Sequence, residues 1–258
     1  MNINTKDYIL ELLEKGMRED KRKIDEYRKI EIRSGIIENA EGSADVTLGD
    51  TRVLTGIKID VGEPMPDKPD EGNLVTSAEL LPLASTDYDV GPPSPEAIEL
   101  ARVVDRGIRS AEVIDFPSLF IEEGKVWNVF LDIYVLNYDG NLFDASYLAS
   151  MTALAKCKLP KYEDGKVIRE DMKKLKANNI VTSCTFAKIG NTLLLDPSGD
   201  EEYVMSGRIT VANDEKKIRA IQKGHGGSFL VSEIEYALEK SFEKSKDLRN
   251  ILNKNISE

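Results

Sequence analysis

The sequence predicts an α+β protein assembled from two related β–α halves, with mixed sheets and packed helices. Three observations carry that reading. Strand-like runs followed by helix-like runs occur twice along the chain. The apolar residues change period, alternating in the strand candidates and recurring every three or four positions in the helix candidates. Finally, 258 residues with 41% hydrophobic and 31% charged content supply one large core or two joined ones.

Taken in order, residues 5–14 place Tyr8, Ile9, Leu12 and Leu13 on one helical face. The basic run 18–28 reads as a solvated lead-in, so residues 1–28 form an N-terminal helix and lead-in. The first half, 29–160, opens with strands at 30–37 and 43–48 around the turn-forming segment 38–42, then a third at 51–60. Residues 61–73, rich in proline, glycine and acid, are loop; 74–83 reads as strand and 88–95 as a second loop. Ser94-Pro95 is a helix entry, with serine at the N-cap and proline in the first turn. Residues 127–138 form a central strand closed by Asp139-Gly140-Asn141. A helix from 144 to 157 follows, with Ala145, Leu148, Ala149, Thr152 and Ala153 as a narrow packing face.

Residues 161–179, polar and lysine-rich, read as the connection between halves. The second half, 180–250, pairs strands 180–189 and 191–195 around Gly190 and adds strands at 207–212 and 218–222. Its last helix starts near Ser228 and carries Leu230, Ile234, Ala237, Leu238 and Phe242 on one face.

Several function classes are excluded at this level. No stretch approaches the roughly 20 apolar residues of a membrane helix. The N-terminal residues mix acids and bases without a signal-peptide core, so a cytoplasmic protein is expected. Cys157 and Cys184 sit in apolar surroundings without ligand spacing and read as structural thiols. His225 is the only histidine, which excludes a two-histidine metal site, and no metal is expected. With 46 acids against 35 bases the net charge is -11. Proteins that coat nucleic acid are usually basic, so any RNA contact here must come from a local basic patch within an acidic body.

One such patch stands out. In the helix from Pro95 to Ala111 the apolar stripe is Ala97, Ala101, Val104, Ile108 and Ala111. Arg102, Arg106 and Arg109 lie on nearly the opposite side, where they repel one another, and only Glu99 and Asp105 are close enough to offset them. Guanidinium groups keep their charge and present planar donor forks that suit phosphate oxygens. The plain alternative is a solvated face, or arginines paired with acidic neighbours. A second candidate is the glycine loop Gly224-His225-Gly226-Gly227-Ser228, whose backbone N–H groups would cradle an anion at a helix start. Its alternative is a tight turn with Ser228 as N-cap. Lys216, Lys217, Arg219 and Lys223 add positive charge nearby, or form a solvated edge.

The helix Glu99-Leu-Ala-Arg102-Val-Val-Asp-Arg106-Gly-Ile-Arg109 resembles the arginine helix of the RNase PH family of phosphorolytic 3′→5′ ribonucleases. Gly42-Ser-Ala-Asp-Val-Thr-Leu-Gly-Asp-Thr51-Arg resembles its first hairpin, and Val126-Trp-Asn-Val-Phe-Leu-Asp132-Ile-Tyr-Val-Leu-Asn-Tyr-Asp139-Gly140 its central strand and turn. Asp144-Ala-Ser-Tyr-Leu-Ala resembles the helix after that turn, and Gln222-Lys-Gly224-His-Gly-Gly227-Ser228 the loop before the C-terminal helix. These segments span about residues 28 to 245. Glu79-Leu-Leu-Pro82-Leu-Ala and Asp105-Arg106-Gly107 resemble, within the family, the non-catalytic ring subunit of the archaeal exosome.

The resemblance implies an RNase PH-like fold (ribosomal protein S5 domain 2-like). It also implies a ring in which catalytic and non-catalytic subunits alternate as a trimer of heterodimers, with RNA-binding cap subunits and single-stranded RNA as further partners. The complex would use inorganic phosphate, and a divalent metal at the partner's active site, while this subunit binds no cofactor. Two departures set the chain apart from active members, whose turn after the central strand reads Asp-Gly-Gly-Thr-Arg. Here it is Asp139-Gly-Asn141-Leu142-Phe143. Where active members carry a carboxylate, in a strand resembling Asp-Val-Pro-Val-Ala, this chain has Arg208-Ile-Thr-Val-Ala212. A cation there repels a metal and removes the acid that would manage the leaving oxygen. Asp200, Glu201 and Glu202 precede that strand and read as solvated loop charges. The sequence therefore predicts no catalytic residue of its own, RNA contacts at Arg102, Arg106 and Arg109, and a possible anion or RNA contact at His225, Gly226, Gly227 and Ser228. The alternatives are a self-sufficient RNase PH-type enzyme with relocated acids, and a phosphate-binding metabolic enzyme built on the glycine loop.

Overall fold

The computed structural model describes residues 3–257. The first half carries a mixed sheet in the order β1 (Ile30–Ser34), β2 (Gly42–Leu48), β3 (Thr51–Gly62), β6 (Lys125–Asn137), β4 (Asn73–Leu80), and β5 (Phe120–Glu122) pairs with β6. Among the described residues, only β4 and β6 run parallel. Their connection holds α2 (Pro95–Ser110), a crossover of the length that a parallel pair requires. The second half is a four-stranded antiparallel sheet in the order β10 (Thr192–Leu195), β9 (Thr182–Ile189), β11 (Gly207–Asn213), β12 (Ile218–Gly224). The helices are α1 (Ile3–Glu14), α2, α3 (Leu142–Lys156), α4 (Gly199–Val204) and α5 (Val231–Ser257). The two-half α+β organisation is as the sequence predicts.

Alternation fixes which face of the first sheet is buried. Along β3, Val53, Ile57 and Ile59 are fully buried while Arg52, Lys58 and Asp60 face solvent. Against the buried face lies α3, which also packs on β9, α2 and α5 and so sits between the two sheets. Instead of the narrow packing face expected, every residue from Leu142 to Ala155 is buried. A helix enclosed on all sides needs no polar stripe, which is why its periodicity understates its burial.

The basic run 18–28 is not a solvated lead-in. Arg18 is 2% and Arg28 8% exposed, and both guanidiniums close on the second half. Arg18 donates from Nη1 to the Leu195 carbonyl at 2.8 Å and from Nε to Glu201 at 2.8 Å. Arg28 donates from Nη2 to Asp196 Oδ1 at 2.8 Å, with Arg22 Nη1 on Oδ2 at 2.9 Å and Asn141 Nδ2 on Oδ1 at 2.7 Å. Burial pushes the Asp196 pKa up, but the bonds and charges of Arg28 and Arg22 outweigh it and hold the carboxyl below the usual carboxylate range. The acids read as loop charges complete this clamp. Residues 199–204 form α4, capped by Ser198 with Glu201 reciprocating. Asp200 remains exposed, whereas Glu201 is buried on Arg18 and Glu202 accepts from the Asn141 amide at 2.9 Å and the Tyr138 hydroxyl at 2.7 Å.

Asp144, a third buried acid near this junction, behaves differently. Burial pushes its carboxyl up to about 6, against bonds from Ser183, Asn141, the Thr185 amide and Tyr27. No cation among the described residues touches it, so desolvation wins.

Two further expectations are corrected. The segment read as a plain connection contains a hairpin, β7 (Lys158–Glu163) and β8 (Lys166–Lys174), in which exposed lysines flank a turn at Asp164-Gly165. The C-terminal helix starts at Val231, not near Ser228, and Glu233 in its first turn accepts from the N–H of Leu230 just before it at 2.7 Å. Leu230 is 64% exposed; the buried face carries Ala237, Ser241, Ser245, Leu248 and Leu252.

Cys157 and Cys184 are fully buried, and burial pushes both thiols up to about 12. They are inert at neutral pH, as read from their surroundings.

Candidate nucleic-acid interface

The helix α2 begins as its sequence dictates: Ser94 Oγ accepts from the Ala97 N–H at 3.2 Å, with Pro95 in the first turn. Its apolar stripe meets the core through Ala97, Ala101, Val104 and Ile108, joined by Leu100 and Val103. The helix spans both halves, lying on β4 of the first sheet, on β12 of the second and on α3. Gly107 permits the last contact: a Cβ there would stand 2.1 Å from the Tyr147 hydroxyl. That hydroxyl donates to the Val103 carbonyl at 2.6 Å, fixing α2 against α3.

Arg102, Arg106 and Arg109 are all exposed on the face away from the core, yet their surroundings differ. Arg109 donates from Nε to Asp105 at 2.7 Å and from Nη2 to the Leu74 carbonyl at 2.6 Å, and lies over the Phe116 ring at 5.5 Å. Asp105 also accepts from Thr76 Oγ1 at 3.1 Å. Arg109 therefore ties the helix to β4. Arg106 makes only long contacts, 3.4 Å from each terminal nitrogen to Gln222 Oε1. Arg102 has no hydrogen-bond or ion-pair partner among the described residues.

Two hollows flank these free guanidiniums. A groove of about 770 Å³ runs between α2 and Leu74, Val75 and Thr76 of β4, with Arg102, Arg106 and Arg109 along it. A smaller hollow of about 400 Å³ lies on the other flank, bounded by Ile98, Glu99, Val103 and Gln222. Arg102 and Arg106 thus form a ridge between them. Charged donors on a ridge with open space to either side suit an extended phosphate backbone better than an enclosed small molecule.

Arg208 lies beside this ridge and fills its own slot. Its guanidinium stacks on Phe143 at 4.1 Å from the ring centroid, and Nη2 donates to Glu99 Oε1 at 2.8 Å. The two departures noted in the sequence are therefore in contact: the apolar residue of the altered turn and the cation of the altered strand pack on one another. This constellation does not fit a divalent cation. Among the described residues, no group of three or more His, Cys, Asp or Glu could hold a metal.

The glycine loop is placed close by, but not at a helix start. It leaves β12 after Gly224, which is paired with Arg208, and the Gly227 N–H already donates to the Ser206 carbonyl at 2.7 Å. Because α5 starts only at Val231, neither Gly226 nor Ser228 stands at a helix N-terminus. His225 adopts a left-handed backbone at φ 61°, and its carbonyl accepts from Lys223. Lys188 Nζ donates to the Ser228 carbonyl at 3.1 Å. Of the nearby basic residues, Arg219 is spent on Asp214 and the Ser110 carbonyl, while Lys216 and Lys217 remain on an exposed edge.

Sequence reasoning missed Gln222, Thr76 and the β4 wall of the groove. Gln222 stood in view as the end of the strand 218–222 and the first residue of the glycine loop, and nothing local marks a strand residue as the neighbour of a helix a hundred positions away.

Family models match both halves: the 3′ exoribonuclease family, domain 1, over residues 26–160, and domain 2 of the same family over residues 179–244. The chain belongs to the RNase PH family of 3′ exoribonucleases. The exosome complex component Rrp42 of Thermococcus gammatolerans is 50% identical over 254 residues, covering 96% of this chain and 93% of that one. Its counterpart in Thermoplasma acidophilum is 48% identical over 246 residues, covering 95% of this chain and 93% of the relative. Among solved structures, a subunit of the Archaeoglobus fulgidus exosome with RNA bound to the active site matches with TM-score 0.91 and 43% identity over 96% of this chain and 97% of that one. An archaeal exosome core subunit matches with TM-score 0.88 and 40% identity over 97% and 96% of the two chains. The RNase PH-like fold expected from the motifs is therefore the fold of this chain.

Proposed function

We propose that this chain is the non-catalytic, RNA-gripping subunit of a 3′→5′ phosphorolytic exoribonuclease ring, and that it acts in the cytoplasm. The observation that carries the proposal is a division of charge. Arg102 has no partner among the described residues and Arg106 only long contacts to Gln222, both over open grooves, whereas Arg208 and Phe143 stand where the sequence resemblance implies that active members carry a carboxylate and an arginine. Phosphorolysis brings an anionic nucleophile to an anionic diester, so it needs both cationic positioning and a group to manage the leaving 3′ oxygen. This chain supplies the positioning and lacks that group. A catalytic RNase PH-like partner, alternating with it as a trimer of heterodimers, would supply the rest.

In that assembly single-stranded RNA lies on the α2 ridge, and inorganic phosphate attacks at the partner's site with whatever metal that site holds. Cap subunits that bind RNA would deliver the strand. The relatives named as exosome components, and the related structure described as holding RNA at its active site, support this reading. The loop at His225, Gly226, Gly227 and Ser228 is a secondary contact within it, made by the exposed side chains of His225 and Ser228 and the exposed backbone at Gly226. Arg109 contributes mainly by holding α2 on β4.

The test is phosphate-dependent release of nucleoside diphosphates from a single-stranded RNA. The purified chain alone is expected to release none, and activity is expected when the catalytic partner is added. Release by the chain alone, abolished on removing phosphate, would establish a self-sufficient enzyme and overturn the proposal.

A further inference from the structure

We infer that Arg208 keeps the α2 arginines available to RNA by holding the Glu99 carboxylate away from them. This deepens the reading above and rests on it.

Glu99 is three residues before Arg102 and seven before Arg106 on the same helix. At that first spacing opposite charges are neighbours and normally pair. They do not pair here. Glu99 Oε1 accepts from Arg208 Nη2 at 2.8 Å and from Gln222 Nε2 at 2.9 Å, both reaching over from the second sheet. Arg102 is left with no partner among the described residues.

Arg208 can hold this carboxylate because it is itself immobile. Its side chain is 9% exposed, fixed between the Phe143 ring and Gly224. A Cβ on Gly224 would stand 2.6 Å from Nη2, so the slot is tight and depends on glycine there. The buried Nε has no hydrogen-bond partner among the described residues, a cost of burying the guanidinium in this slot. The guanidinium thus sits where its one strong bond is the one that occupies Glu99. Gln222 extends the arrangement, since its amide nitrogen binds Glu99 while its carbonyl oxygen faces Arg106 at 3.4 Å. Arg106 is aligned over the ridge by a weak contact that a phosphate can displace.

Without the Arg208 charge, Glu99 loses its strongest partner and has Arg102 within reach. The carboxylate then competes with RNA phosphates, and the ridge loses about one effective positive charge. Arg208 is therefore a positioning residue, acting on RNA through Glu99.

The test uses the chain assembled with its catalytic partner and a fluorescent single-stranded oligoadenylate, with binding measured across a salt series. Arg208→Met still packs on Phe143 but carries no charge. It is expected to weaken binding about fivefold to tenfold, on the order of 1 kcal/mol, and to flatten the salt slope by about 0.7, one phosphate contact on a single strand. Adding Glu99→Gln to Arg208→Met should restore affinity and slope to within about twofold of wild type, because the competing carboxylate is gone. Arg208→Lys, which keeps a cation opposite Glu99, should retain binding. Wild-type affinity in Arg208→Met overturns the inference. So does a double variant that remains as weak as Arg208→Met, since that is the behaviour of a merely structural residue, and so does a loss in Arg208→Lys as large as in Arg208→Met. Arg102→Gln/Arg106→Gln separates the two levels: wild-type binding in that variant removes the RNA-ridge reading itself, and this inference with it.

Discussion

The arginines of segment 18–28 and those of α2 are the same residue type in one acidic chain, and they meet opposite fates. Arg18 and Arg28 are buried and surrounded by carbonyls and the carboxylates of Glu201 and Asp196. Arg102 and Arg106 are exposed, and the acids nearest them in sequence are committed elsewhere: Glu99 to Arg208, and Asp105 to Arg109 and Thr76. The difference lies in where the fold delivers carboxylates. Arg18 and Arg28 are given carboxylates from distant elements, whereas Arg102 and Arg106 have their local ones withdrawn. A chain with net charge -11 can hold RNA only if some cations are kept from its own acids in this way.

The buried side of the comparison should show the largest effect on stability. Asp196→Ala strands the guanidiniums of Arg28 and Arg22, and breaking a buried pair typically costs about 3–5 kcal/mol. Urea denaturation of the full chain at pH 7 should show that loss. Because Asp196 is held below its ordinary pKa, its contribution is fully present above the unfolded value of roughly 3.9. That contribution is lost as pH falls through the lower folded value. The gap between wild type and Asp196→Ala should therefore shrink on acidification below about pH 4; a gap that widens there would contradict the clamp.

Gly107→Ala sharpens the link between the two sides. The added methyl meets the Tyr147 hydroxyl and displaces α2 from α3, so a cost of about 1–3 kcal/mol from overpacking is expected in thermal unfolding. RNA affinity should fall with it, since the ridge moves as a body. Retained stability would mean that α2 is not seated as described.

Arg109→Met should have the smallest effect. It removes an exposed ion pair and a bond to the Leu74 carbonyl, together about 1 kcal/mol or less in chemical denaturation. It should weaken RNA binding less than the same change at Arg102. An equal loss at the two positions would place Arg109 on the RNA rather than on β4.

Much of this was legible in the sequence. Period and capping located α2, its apolar stripe and its arginine face, because those are local properties of one helix. The motif order located the RNase PH-like fold, and the Arg208 and Asn141-Leu142-Phe143 departures were visible as changes of charge and bulk. What was not legible came from contacts between distant segments. The run 18–28 looks solvated until Asp196, Glu201 and three carbonyls arrive from the second half. Likewise α3 looks amphipathic until two sheets enclose it, and Ser228 looks like an N-cap although the helix starts only at Val231. The Arg208–Glu99 bond belongs to the same class, joining a strand and a helix that no spacing rule relates.

The withdrawal of Glu99 and Asp105 leaves Arg102 and Arg106 open to phosphate in the proposed assembly. That availability is tested most directly by the salt dependence of single-stranded RNA binding to the assembled complex, wild type against Arg102→Gln/Arg106→Gln. Weaker binding is expected, with a log K against log salt slope shallower by about 1.4, two phosphate contacts at about 0.7 each. An unchanged affinity and slope would contradict it.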